Sequence, residues 1–123
     1  MSDPVTNYRA LAQSVSARLK GLRASTPEAM KAFNDLGRAA TAGGALDAKT
    51  KELIALALSV AARCDPCIAF HAQALVRLGA TRQELDEMLR CRVMPSMEMT
   101  RDEAGCAPDA IVFRAGDSLE WKE

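Results

Sequence analysis

Cys64, Cys67 and His71 follow one another at spacings of three and four residues, and Glu52 lies twelve residues ahead of Cys64. Such spacings return a residue to the same face of an α-helix. On a helix opening near Asp65 the two thiols and the imidazole therefore share one stripe. Cys64 then stands at the helix N-terminus, where unsatisfied backbone N–H groups and the positive end of the helix dipole stabilise a thiolate. Only the thiolate attacks, so this placement makes a candidate nucleophile of a thiol whose ordinary pKa is about 8.5. Glu52 and His71 can hold and move protons, and a carboxylate orienting an imidazole beside a thiol is the arrangement of an activated nucleophile. Helix position alone favours Cys64 as the more exposed and more acidic thiol, and it leaves open which sulfur attacks first.

These groups need two helices to position them. Leu46-Asp47 reads as a hydrophobic residue followed by an N-cap, opening an apolar helix from Ala48 to about Ala62 that carries Glu52 and must be central. Asp65-Pro66 supplies a capping side chain and an N1 proline for the next helix, which runs to Leu78 and stops at Gly79. The two helices must be antiparallel across the break at 63–65. At a rise of 1.5 Å per residue, Glu52 lies about 16 Å back from the turn and His71 about 9 Å forward, an offset that two long side chains and a water can span. A carboxylate in so apolar a helix requires a partner, and His71 is the natural one.

The other elements also read as helical. A first amphipathic helix is expected from about Val5 to Leu22, and a second from a Ser25–Glu28 capping box to just before Gly43-Gly44, with Met30, Phe33 and Leu36 on its apolar face. Another starts at the Thr81–Glu84 capping box and carries Leu85, Met88 and Leu89 until Pro95 interrupts. Residues 95–108 read as a loop, and a last helix is expected from Asp109 to about Trp121. No strand-length alternation stands out. The expectation is one all-α domain over 1–123, a bundle of about six helices whose core motif spans 46–89.

The chain has 123 residues, 49% hydrophobic, with 16 basic and 16 acidic side chains, so one core suffices and no concentrated positive face exists for nucleic acid or an anionic membrane. No run of about 18 uncharged apolar residues is present, and the N-terminal residues lack a leader pattern, which points to the cytoplasm. In a reducing compartment a close cysteine pair is a matter of redox chemistry or metal. A zinc site built from Cys64, Cys67 and His71, with Cys91, Cys106 or Glu52 as fourth ligand, is the rival reading; the usual second ligand pair at short spacing is missing. Cys91 and Cys106 belong to no motif and read as ordinary small hydrophobes or incidental surface thiols. Arg63, beside Cys64, reads as a solvated cation or as an aid to thiolate formation.

The stretch from Leu46 to Leu89, with Glu52, Cys64, Cys67 and His71 all in place, resembles the core of the alkyl hydroperoxidase D-like proteins of the carboxymuconolactone decarboxylase superfamily. That resemblance implies an all-α fold assembling as trimers or hexamers, and thiol peroxidase or disulfide reductase activity. It further implies that Cys67 reacts with a hydroperoxide, that Cys64 resolves the sulfenic acid as a disulfide, and that Glu52 and His71 relay the proton. No cofactor or metal is then needed, only an external protein or thiol reductant. The segment around Met94 to Glu103 departs from the family pattern, with Gly105-Cys106-Ala107-Pro108 standing where a glycine-rich turn is usual. The alternatives are a decarboxylase acting on a muconolactone-like acid, which needs no cysteine pair, and a non-enzymatic redox-sensing or partner-binding oligomer.

Overall fold

The computed structural model describes residues 7–93 and the backbone of residues 111–113 and 119–121. Five helices run in order: α1 (Tyr8–Ser25), α2 (Pro27–Thr41), α3 (Ala48–Ala61), α4 (Asp65–Arg77) and α5 (Arg82–Val93). Strands β1 (Ile111–Phe113) and β2 (Leu119–Trp121) follow as an antiparallel pair, Ile111 opposite Trp121 and Phe113 opposite Leu119. The helical body is as expected, but the last helix is not. A β-branched and aromatic run, Ile-Val-Phe, is joined to Leu-Glu-Trp by residues that include Gly116 and Asp117, which is the composition of a hairpin rather than of a helix. The hairpin lies beside α4 through β2. The expected loop at 95–108, with Cys106, lies outside the described residues, as do the first residues of the expected N-terminal helix.

Caps set the helix boundaries. Asn7 accepts from the Ala10 N–H at 2.9 Å and opens α1, and Asp47 accepts from the Thr50 N–H at 2.7 Å and opens α3. At α5 the capping box is complete: Thr81 Oγ1 accepts from the Glu84 N–H at 3.2 Å, and Glu84 accepts from the Thr81 N–H at 2.8 Å. The box expected at Ser25–Glu28 does not form. Instead α1 continues through Ser25, whose hydroxyl donates back to the Leu22 carbonyl, and α2 begins on Pro27 after a single residue. Pre-organised φ at an N1 proline starts that helix without a side-chain cap.

The core joins Tyr8 and Ala12 of α1, Leu56 and Val60 of α3, Ile68, Ala69 and Leu75 of α4, and Ala80 and Leu85 leading into and within α5. Each of the large ones contributes about 1.5–3 kcal/mol by leaving water. α4 is the hub, packed on both α3 and α1. Only the first half of α1 docks, and α2 buries no residue at all. Phe33 and Leu36 on α2 are 69% and 67% exposed, and Ile54 and Leu58 on α3 are 46% and 64% exposed. α3 is therefore central on one side and open on the other, since no helix among the described residues covers its outer stripe. Among the described residues, no helix is long and apolar enough to cross a membrane.

Candidate active site

The site grows out of the corner between α3 and α4. The Arg63 N–H donates to the Val60 carbonyl and the Cys64 N–H to the Ser59 carbonyl, each at 3.1 Å, which ends α3 in a Schellman closure. Arg63 takes a left-handed conformation, φ 53°, to make that closure. Cys64 is at once the last residue of the closure and the N-cap of α4: its sulfur accepts from the Cys67 N–H at 3.3 Å, and its carbonyl accepts from the Ile68 N–H. Cys64 Sγ and Cys67 Sγ are joined as a disulfide, with Cα atoms 5.2 Å apart. Both cysteines are partly exposed, so the bond is open to reagents.

One helical turn beyond Cys67, His71 Nδ1 lies 2.7 Å from Glu52 Oε2. With the carboxylate ionised, Nδ1 carries the proton and donates it to Glu52, which leaves Nε2 as the ring atom available for exchange. Glu52 is buried, at 8% exposure, while the His71 side chain is about a third exposed. The carboxylate faces the interior and the imidazole opens toward solvent, as a relay requires. No bridging water is needed between them. α3 ends at Ala61 and the turn crosses between helices without rising, so Glu52 is about 13 Å and His71 about 9 Å from it, a difference within the reach of a glutamate side chain. The antiparallel packing of α3 on α4 thus converts a separation of 19 residues into a hydrogen bond.

The four residues singled out from the sequence, Glu52, Cys64, Cys67 and His71, stand along this one helix pair. Sequence reasoning passed over Ser59, which is buried at 5% exposure, donates its hydroxyl to the Ala55 carbonyl at 2.7 Å, and receives the Cys64 N–H on its own carbonyl. Its separation of seven from Glu52 puts both on one face of α3, which is the signal that would have found it. Cys91 is an exposed free thiol on α5. Among the described residues, no group of three or more His, Cys, Asp and Glu side chains is gathered to hold a metal ion.

A second polar junction fixes α5 against α3. Lys49 Nζ lies 2.7 Å from Glu84 Oε1. The Lys49 ammonium, together with the Thr81 N–H, holds the Glu84 carboxyl below its ordinary value. Asp47, at the head of α3, is likewise lowered by the backbone and side chain of Thr50.

Known proteins share this fold and much of this sequence. A carboxymuconolactone decarboxylase family protein from Legionella pneumophila, solved in its apo form, is 44% identical, superposes with a TM-score of 0.72, and is covered over 94% of its length by 83% of this chain. An uncharacterised protein of Cupriavidus necator is 38% identical over 88 residues, 72% of this chain and 78% of its own. One from Haemophilus influenzae is 53% identical over 47 residues, 42% of its length. The sequence pattern of the carboxymuconolactone decarboxylase family itself matches residues 27–99, a span that holds both helices of the site. By that match and by the relatives that share most of its length, the chain belongs to the carboxymuconolactone decarboxylase family.

Proposed function

We propose that this protein is an alkyl hydroperoxidase D-like thiol peroxidase, reducing hydroperoxides through a Cys64/Cys67 dithiol–disulfide cycle. The observation that carries the reading is the 2.7 Å Glu52–His71 contact one turn from a cysteine pair already joined as a disulfide. In the reduced protein, His71 Nε2 takes the proton of Cys67, and the Cys67 thiolate attacks the terminal peroxide oxygen. The O–O bond breaks, the alkoxide leaves with the proton returned by His71, and Cys67 becomes a sulfenic acid. Cys64, whose thiolate is stabilised by the Cys67 N–H at the head of α4, attacks that sulfur, forming the disulfide and releasing hydroxide, which is protonated to water. An external thiol or protein dithiol restores the pair, and no metal or organic cofactor enters the cycle. The setting is the cytoplasm, and the role antioxidant.

The working form is a homo-oligomer, a trimer or hexamer. Supporting this, Phe33 and Leu36 of α2 and Ile54 and Leu58 of α3 present apolar side chains that the described residues leave exposed. Light scattering at micromolar concentration is expected to show a species several times the 13.2 kDa of one chain.

The test is consumption of an organic hydroperoxide with a dithiol as electron donor. Wild type is expected to turn over, while Cys67→Ser is inactive and Cys64→Ser, given hydroperoxide before any donor is added, consumes one equivalent and holds a sulfenic acid on Cys67. Glu52→Gln keeps the bundle and lowers the rate by about 100-fold, the usual contribution of a positioned proton-transfer group. Thiols that ignore peroxide would overturn the proposal. A lactone acid decarboxylated equally by wild type and Cys64→Ser would assign the decarboxylase chemistry instead.

A further inference from the structure

Arg63 occupies a backbone position made for glycine. At φ 53° its Cβ crowds the following carbonyl, and a Schellman closure ordinarily puts glycine there for that reason. At the other end of α4 the same closure is made by Gly79, at φ 71°. A strained residue that persists where an unstrained one would serve directs attention to its side chain. That side chain is exposed and, among the described residues, takes part in no ion pair or hydrogen bond, whereas the cations of Lys31, Arg38 and Lys49 all meet carboxylates. It also immediately precedes Cys64, so its guanidinium ranges within about 10 Å of the disulfide, about one Debye length at 0.1 M ionic strength. The neighbouring carboxylate, Asp65, is partly buried in the first turn of α4, where the helix dipole takes up part of its charge.

We infer that Arg63 selects the reductant of the Cys64–Cys67 disulfide, favouring a thiol that carries negative charge near its sulfur. This rests on the redox reading of the pair, and it names the class of molecule that resets it. The incoming thiolate attacks one cysteine sulfur, the S–S bond breaks, and its electron pair departs on the other cysteine. A second thiol then attacks the mixed disulfide and releases the second cysteine thiolate, so that two thiols become one external disulfide. Arg63 acts in the first of these steps by raising the local concentration of an anionic attacker.

The experiment measures the rate of disulfide reduction in the full-length protein by 3-mercaptopropionate, 2-mercaptoethanol and cysteamine, with quenching by alkylation and mass analysis. The readout is the ratio of anionic to neutral thiol rates, which cancels any effect of Arg63 on the cysteines themselves. Arg63→Gly is expected to lower that ratio about threefold and to raise the cysteamine ratio, the effect of one unit charge a few ångströms away in a watery setting. Arg63→Lys is expected to retain the wild-type ratio, Asp65→Asn to raise it, and about 1 M salt to erase the differences. Equal ratios in wild type and Arg63→Gly would overturn the inference. Hydroperoxide turnover is followed in parallel with 2-mercaptoethanol: a charge preference without turnover keeps Arg63 and sinks the peroxidase, and turnover without a preference does the reverse.

Discussion

Two corners of the bundle, α3–α4 and α4–α5, are closed by the same backbone hydrogen bonds and by different residues. At the second, the Gly79 N–H donates to the Val76 carbonyl at 3.1 Å and the Ala80 N–H to the Leu75 carbonyl at 3.0 Å, with Ala80 and Leu75 both fully buried. A glycine turns the chain without strain, an apolar pair seals the turn, and Thr81 then caps α5. At the first corner the glycine is replaced by Arg63, the apolar pair by Ser59 and Cys64, and the cap by a sulfur. One corner is optimised to hold helices together, the other gives up each of those gains to keep reactive and charged groups at the surface. Departures from the favoured residue thus coincide with the cysteine pair in a fold built from repeated parts.

The sharpest way to break this contrast is to truncate the residue that each closure leans on. Leu75→Ala is expected to cost about 3 kcal/mol in chemical denaturation, since it opens a cavity in the core, while Ser59→Ala costs less than about 1 kcal/mol. Equal losses would mean that the α3–α4 corner is as structural as the other. Exchanging the left-handed residues comes next. Gly79→Arg is expected to lose about 1 kcal/mol, with no contact in the way because nothing lies within 4 Å of an added Cβ there. Arg63→Gly is expected to gain about 0.5 kcal/mol, the relief of strain being partly offset by the freer unfolded chain. A stabilised Arg63→Gly with an altered choice of reductant would show stability and selectivity trading at one residue.

The smallest effect concerns pH. Glu84, held below its ordinary value of 4.5 first of all by Lys49, adds stability that is complete above that value and is lost as the pH falls through the lower folded value. Glu84→Gln retains the capping bond to the Thr81 N–H and removes the charge, so it is expected to flatten the acid limb of the stability curve below about pH 4.5 by some 0.5 kcal/mol.

Much of the site was legible because its information is local. Cys64, Cys67 and His71 belong to one helix whose start is marked by Asp65-Pro66, although the cap is the Cys64 sulfur and not the expected Asp65 side chain, and a helix of known rise places them on one stripe whatever surrounds it. The Thr81–Glu84 box and the Gly79 stop were legible for the same reason. The Ser25–Glu28 box matches its pattern and still fails to form, because α1 runs on through Ser25 and takes its hydroxyl. Residues 111–113 and 119–121 pair as strands despite a helix-rich chain, and here periodicity over so few residues decided nothing between the two.

By itself the sequence determined which residues share a helix face, where α3, α4 and α5 begin, and that a thiol pair sits at a helix head beside a histidine, since caps, periodicity and spacing act within a few residues. Only the tertiary structure decided that Glu52 bonds His71 directly, that Ser59 closes on Cys64, that Arg63 is left-handed, and that α2 and the outer face of α3 stay uncovered by the described residues. Each of those depends on how one helix crosses another, which is set by the packing of side chains distant in the chain and by the length of the turn between them.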